Sequence, residues 1–351
     1  VPFFLDQQVR LVDAAPFPLG AAIDQRETTG AAGQALAHHF TQLTAENHMK
    51  PEAWYADDGT FAPSPQIDTL MDYAQARGLR VYGHVLVWHN QTPPWFFTHP
   101  DGTPLTADAA DQQILRDRLR SHIDAVAEYL SDGWGEFGNG NPVVAWDVVN
   151  EVIDKGTGFA DGMRRSDWYR VLGEEFIDIA FAYADEAFND RHASPATGRP
   201  VALFINEFDT ETADKQDRYH ALVSRLLERG VRVDGVGHQM HVALDVPVES
   251  LAAALDRFAA LPVQQAVTEM DVPTGVPVTP SALDEQGRYY EAAFRTFRER
   301  ADVLFSVTLW GFHDGRSWRD AHGAPLLLDE RLEAKPALTG VLAGLRAPSP
   351  S

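Results

Sequence analysis

Two short stretches carry the residue types needed for acid–base work on a covalent bond. They are Val144-Ala145-Trp146-Asp147-Val148-Val149-Asn150-Glu151 and Val267-Thr268-Glu269-Met270-Asp271. Each opens apolar and β-branched, the composition of a strand buried on both faces. Each ends in carboxylates that such a strand cannot easily hide. Two carboxyl groups, one protonated and one ionised on opposite sides of an anomeric carbon, are what glycoside hydrolysis requires. The neighbours suit that division. His241 and Asp271 can hydrogen-bond Glu269 and favour its charged form, whereas Glu151 ends an apolar run, a setting that raises a carboxyl pKa. Asn150 is placed to bind a sugar 2-hydroxyl.

Other polar and aromatic residues fall at the ends of similar runs: Glu46, Asn47, His84, Trp88, Asn206, Gln239, His241 and Trp310. Singly, each has a bland reading as a rim carboxylate, a core indole or a hydrogen-bonded structural histidine. Together, amides and imidazoles that exchange hydrogen bonds with hydroxyls, and indoles that pack on pyranose faces, describe a carbohydrate site.

Something must bring these residues to one place. Strands are expected over 19–24, 42–47, 80–88, 144–151, 201–208, 235–242, 264–272 and 303–312. Helices are expected over 30–40, 65–77, 108–131, 166–188, 214–229, 248–260, 283–300 and 333–345. Residues 1–18 read as a short leading helix and turn closed by Pro16 and Pro18. The stretch 90–107, with four prolines and Trp95, Phe96 and Phe97, reads as a long functional loop. Eight strand–helix alternations predict an α/β fold, a (β/α)8 TIM barrel of one domain, whose active face gathers the C-terminal ends of the strands. The catalytic domain is expected over 1–346, with 347–351 the start of a Pro/Ser linker or disordered tail. An open doubly wound sheet is the alternative, weakened because no Gly-x-Gly-x-x-Gly follows the first strand.

A net charge of −22 on 351 residues argues against nucleic acid and anionic membranes as partners. With no cysteine, disulfide and thiolate chemistry are excluded. No apolar run approaches the ~20 residues of a membrane span. Val1-Pro2-Phe3-Phe4 is not a signal peptide, so none is expected in this segment. The expectation is a monomeric catalytic module without metal or other cofactor, cut from a longer protein that could carry a carbohydrate-binding module. A secreted setting is expected, with an intracellular one left open.

Trp146-Asp147-Val148-Val149-Asn150-Glu151 resembles the acid/base motif of family 10 glycoside hydrolases, the endo-β-1,4-xylanases, and Val267-Thr268-Glu269-Met270-Asp271 resembles their nucleophile strand. Thr44-Ala45-Glu46-Asn47-His48-Met49-Lys50 and His84-Val85-Leu86-Val87-Trp88-His89-Asn90-Gln91 look like that family's sugar-binding strands. Thr308-Leu309-Trp310-Gly311 and Ser317-Trp318 look like its aromatic wall. The likeness runs from about residue 19 to Leu338, in order and in register.

The resemblance implies Glu269 as nucleophile, Glu151 as acid/base and xylan or xylo-oligosaccharide as substrate. It implies that Glu46, Asn47 and Lys50 bind the sugar two places from the cut. His84, Trp88, Gln239, His241 and Trp310 would shape the cleavage position, with Asn150, Asn206 and Asp271 beside them, and Gln91 and Trp318 would crowd C5 to favour xylose. The departures are Glu207-Phe208-Asp209, where Phe208 keeps a stacking ring but loses a hydroxyl on the leaving-group side, His48 in place of a common glutamate, and Phe312-His313-Asp314-Gly315-Arg316. A decorated glycoside or a glucan is the alternative substrate. A metal-dependent barrel hydrolase using His84, His89, His238 and His241 and a non-catalytic sugar-binding barrel are the rival classes. No Gly-x-Ser-x-Gly supports a serine hydrolase.

Overall fold

The computed structural model describes residues 9–154, 156 and 158–346. The leading Val1-Pro2-Phe3-Phe4 stretch and the expected 347–351 tail lie outside the described residues. In chain order the elements are α1 (Leu11–Ala14), β1 (Leu19–Ile23), α2 (Gly30–His39), β2 (Gln42–Ala45), α3 (Pro65–Arg77), β3 (Arg80–Val87), α4 (Ala109–Trp134) and β4 (Val143–Asn150). There follow α5 (Asp167–Leu172), α6 (Glu175–Glu186), β5 (Ala202–Glu207), α7 (Ala213–Glu228), β6 (Gly235–His238), α8 (Val248–Phe258), β7 (Gln264–Met270), α9 (Pro280–Glu299), β8 (Leu304–Leu309) and α10 (Pro336–Arg346). The strand order is β1 through β8 in a closed barrel, the (β/α)8 fold that the alternation predicts.

Contacts group the chain into two compact units, one drawn from residues up to Thr44, from Phe208–Gln216 and from Val236 onward, the other from Ala45–Glu207 and Asp217–Gly235. In the second unit β3, β4 and β5 pair in parallel. Their register sets His84 beside Asp147 and Asn150 beside Asn206. Gly83 is required there, because a Cβ at that position would run into the Trp146 indole. In the first unit β8 lies between β7 and β1, again in parallel.

Several boundaries differ from expectation for identifiable reasons. The strands are shorter, so Glu46, Asn47, Trp88, Glu151, Phe208, Gln239, His241, Asp271 and Trp310 lie just beyond them rather than within. The helix expected over 166–188 is interrupted at Gly173, which takes φ +66. A separate α6 follows and ends in a π turn, Ala187–Arg191. The closing helix begins at Pro336, whose preset φ suits a first turn.

The 90–107 loop also reads differently. Phe96 and Phe97 are buried, and Trp95 stacks on Phe96 with ring centroids 4.1 Å apart. One Arg118 nitrogen donates to the carbonyls of Trp95, Phe96 and Thr98 at 2.7, 3.0 and 2.8 Å. These aromatic residues pack the loop onto α4 and are not free as sugar platforms.

Two histidines are built into the interior as neutral rings. His122 Nε2 meets the Leu86 carbonyl at 3.0 Å, so its Nδ1 accepts from the Tyr55 hydroxyl at 2.8 Å. His238 repeats the pattern, with Nε2 on Gln265 Oε1 at 2.9 Å and Nδ1 on Thr210 Oγ1 at 2.8 Å. Burial pushes both down to about 4. The unfolded chain therefore binds more protons than the folded one between about 4 and the ordinary 6.5. Their contribution to stability is present above that window and is lost as pH falls through it. The melting temperature should drop across the window while both imidazole resonances remain those of the neutral ring until about pH 4. Titration of either ring near its ordinary value would contradict neutral burial.

Candidate active site

At the end of β4 the backbone turns sharply. Glu151 takes φ +58, in the left-handed region where a non-glycine residue is strained. Two bonds hold it there. Its N–H donates to the Asn206 carbonyl at 3.0 Å, and its own carbonyl accepts from Arg164 Nε at 2.7 Å. The carboxylate is half-buried and accepts from Trp88 Nε1 at 2.5 Å. The Trp88 carbonyl is held in turn by Trp168 Nε1 at 3.1 Å and Thr92 Oγ1 at 2.7 Å. Position and orientation of the acid are thus imposed by backbone bonds and a braced indole.

The β3–β4–β5 register delivers the remaining groups nearby. His84 Nδ1 meets Asp147 Oδ2 at 2.7 Å, and Tyr82 donates to Asp147 Oδ1 at 2.8 Å. Asn206 Nδ2 donates to Asn150 Oδ1 at 3.1 Å, which fixes the Asn150 amide. Lys50 Nζ donates to Asn47 Oδ1 at 2.9 Å and Gln91 Oε1 at 3.1 Å and stands 5.0 Å from the centre of the Trp88 ring. Glu46, beside Asn47 in the chain, is half-buried. Asn47, Lys50, Trp88 and Gln91 are thus brought together around the Lys50 ammonium.

β7 organises the other carboxylate. Glu269 is buried, and its N–H donates to the Gln239 carbonyl at 3.0 Å. His241 stands between two acids, with Nε2 3.2 Å from Glu269 Oε1 and Nδ1 2.9 Å from Asp271 Oδ1. Burial alone would depress the ring. The Asp271 and Glu269 carboxylates outweigh it and hold His241 up to about 10. It is an imidazolium at neutral pH, the form that keeps an adjoining carboxylate charged. Trp318 lies edge-on to its ring at 4.8 Å and Trp310 at 6.5 Å. Phe208 is half-buried, and one face of its ring carries the Lys215 ammonium at 3.7 Å. That face is not open for stacking.

Sequence reasoning missed the residues that orient the others. Asp147 was visible as a lone acid inside an apolar strand. Arg164, Trp168 and Arg319 had no signal beyond proximity to a motif, because loop geometry decides what they reach. Arg319 donates to Asp271 Oδ1 and to the Val242 carbonyl, both at 2.8 Å. The metal-ligand reading weakens on geometry, since His238 and His241 each engage both ring nitrogens with protein partners.

Compared with known families, the chain matches glycosyl hydrolase family 10 over residues 9–344. It is similar to an endo-1,4-beta-xylanase A of Thermoanaerobacterium saccharolyticum, 35% identical over 329 residues, covering 93% of this chain but only 27% of the length of that protein. An endo-1,4-beta-xylanase A of Halalkalibacterium halodurans is 33% identical over 349 residues, covering 92% of this chain and 82% of that protein. Among solved structures, the intracellular xylanase TsXylA from Thermoanaerobacterium saccharolyticum aligns with a TM-score of 0.84 and 34% identity, over 97% of this chain and 98% of that one.

The double pairing of His241 has a measurable consequence. Its folded value lies above the ordinary 6.5, so its contribution to stability is complete below that pH and disappears as pH rises through about 10. Nitrogen-edited NMR should show both ring nitrogens protonated at neutral pH. A midpoint near the ordinary value would mean that the two carboxylates do not share this ring.

Proposed function

The chain belongs to glycosyl hydrolase family 10, and from that premise we propose that it is an endo-1,4-β-xylanase that cleaves internal β-1,4-xylosidic bonds of xylan with retention of configuration. The observation that carries this reading is the contrast between two carboxylates. Glu269 adjoins a buried imidazolium, whereas Glu151 accepts from a neutral indole. The first is suited to stay ionised as a nucleophile, and the second, held by an indole N–H at the end of a pinned backbone turn, is placed to give and take a proton.

In this mechanism Glu269 attacks the anomeric carbon as the bond to the leaving oxygen breaks, and Glu151 gives that oxygen its proton. Glu151, now a carboxylate, takes a proton from water. The water oxygen bonds to the anomeric carbon and frees Glu269. Retention requires the two carboxyl groups about 5–5.5 Å apart, against 6.5 Å or more for inversion.

Glu46, Asn47 and Lys50 are assigned to the sugar two places from the cut, Asn150 to the 2-hydroxyl with Asn206 as a further sugar-binding amide, and Gln91 and Trp318 to exclusion of a C5 substituent. His84, Trp88, Gln239, His241 and Trp310 shape the cleavage position, Asp271 holds His241, and Phe208 borders the leaving group. The catalytic domain is assigned to 1–346, acting as a monomer outside the cell. Among the described residues no helix is long and apolar enough to cross a membrane. Because the similar TsXylA is described as intracellular, fractionation of the source cells tests the location.

Replacing Glu269 by Gln should abolish turnover of every glycoside. Replacing Glu151 by Ala should lower activity on xylan by roughly 10²–10⁴-fold while sparing the first step on aryl xylosides, whose leaving groups need no proton. The anomer released, followed by NMR, should be β first. Equal loss on both substrates, or an α product, would falsify these assignments.

A further inference from the structure

Beyond β8 the chain folds back along the end of β7, with Val272 N–H on the Pro325 carbonyl at 3.2 Å and Thr274 N–H on that of Gly323 at 2.7 Å. This segment brings two adjacent side chains to one carboxylate. Trp318 Nε1 donates to Asp271 Oδ2 and Arg319 to Asp271 Oδ1, both at 2.8 Å. Asp271 is wholly buried, and its Oδ1 also accepts from His241 Nδ1. Charges therefore alternate along Arg319, Asp271, His241 and Glu269.

We propose that Arg319 is a positioning residue for the nucleophile: by gripping Asp271 and the Val242 carbonyl together, it fixes the plane of that carboxylate. Asp271 then fixes the His241 ring on which Glu269 depends. The same grip ties the Trp318 indole to the electrostatics of Glu269, so loop placement and nucleophile ionisation are one coupled arrangement. This rests on the reading of Glu269 as nucleophile.

The two arginines of this segment differ in what they reach. Arg316 pairs with Asp24 at 2.7 Å and Glu27 at 3.0 Å, beside β1, and anchors the loop to the scaffold. Arg319 faces the chain of charges. Other groups close to Asp271 do not substitute for it. Tyr290, from α9, is pushed well above its ordinary value by burial, with Asp271 and Asp314 adding to the effect, and its hydroxyl donates to the Pro325 carbonyl at 2.7 Å. Asp314 is paired with Lys335 at 2.8 Å. Removing the guanidinium leaves Asp271 and Glu269 sharing the single His241 cation, which loosens the hold of that ring on Glu269.

The test compares R319Q and R319K with the native chain. On an aryl xyloside R319Q should lose roughly tenfold to a hundredfold in kcat/KM, the range of a charge-assisted hydrogen bond, and the acid limb of its pH profile should move upward. R319K restores a charge but not the planar guanidinium whose one Nη1 serves both acceptors, so the limb should return while part of the rate loss remains. In the resting protein the Trp318 indole and His241 imidazole resonances should shift in R319Q, with melting temperature as the control for folding. If R319Q does not fold, shifted resonances in R319K support the proposal and unshifted ones overturn it. A slower R319Q with an unmoved acid limb and unmoved resonances also overturns it, whatever happens to its melting temperature. A native chain inactive on every xyloside would defeat the proposed function instead, leaving the resonance test to decide the positioning role.

Discussion

A carboxylate can be buried only if something nearby answers its charge, and the β7 end is built around that constraint. Removing an ion from water costs several kcal/mol even after relaxation, and an unpaired one is strongly destabilising. Asp271 lies entirely out of solvent, yet three donors from two segments converge on it: His241 after β6, and the adjacent Trp318 and Arg319 after β8. The pairing forces His241 to be a cation, and the cation then confers a fixed charge environment on Glu269. One buried acid thereby sets the charge and orientation of a ring, a loop position and the surroundings of a neighbouring carboxylate.

The β4 end meets a related demand by backbone means. A residue leaving a strand must turn its polar groups away from the buried face, and Glu151 does so by adopting a left-handed conformation pinned by Asn206 and Arg164. Gln91, Asp209 and Met240 take the same region just after other strands. Such strain persists only where surrounding bonds over-determine it, and it gathers where side chains must be aimed. The candidate residues thus come from the last positions of the strands, as Glu269 does, and from the turns just beyond them, as Glu151 does.

This explains what could be read from the amino acids and what could not. Alternating apolar runs and helical periodicities announce eight strand–helix units, because burying a parallel sheet imposes a pattern on every strand. The polar residues closing those runs, Glu151 and Glu269 among them, are legible for the same reason: an apolar strand has no other use for them. The supporting residues are not. Arg164, Trp168 and Arg319 lie on irregular segments whose paths are set by tertiary bonds, and nothing in local composition distinguishes them from surface arginines or core indoles. The 90–107 loop is legible in part: Gln91 reaches Lys50 and Thr92 holds the Trp88 carbonyl, while the aromatic residues turn inward. Its proline and aromatic content resembles a binding loop, but Arg118 satisfies its carbonyls and Phe96 fills a hydrophobic site beneath it.

Phe208 shows how a departure from the family pattern can carry its own compensation. The ring that stands here without a hydroxyl is not idle. Lys215, buried and one of few lysines in the chain, rests its ammonium 3.7 Å from the ring centre. A cation against an aromatic face is held by the ring quadrupole, most strongly where water is excluded. A tyrosine would keep that face but bring a polar oxygen needing a partner of its own. The phenylalanine is therefore better understood with Lys215 as a packed cation–ring pair than as a sugar platform missing one atom.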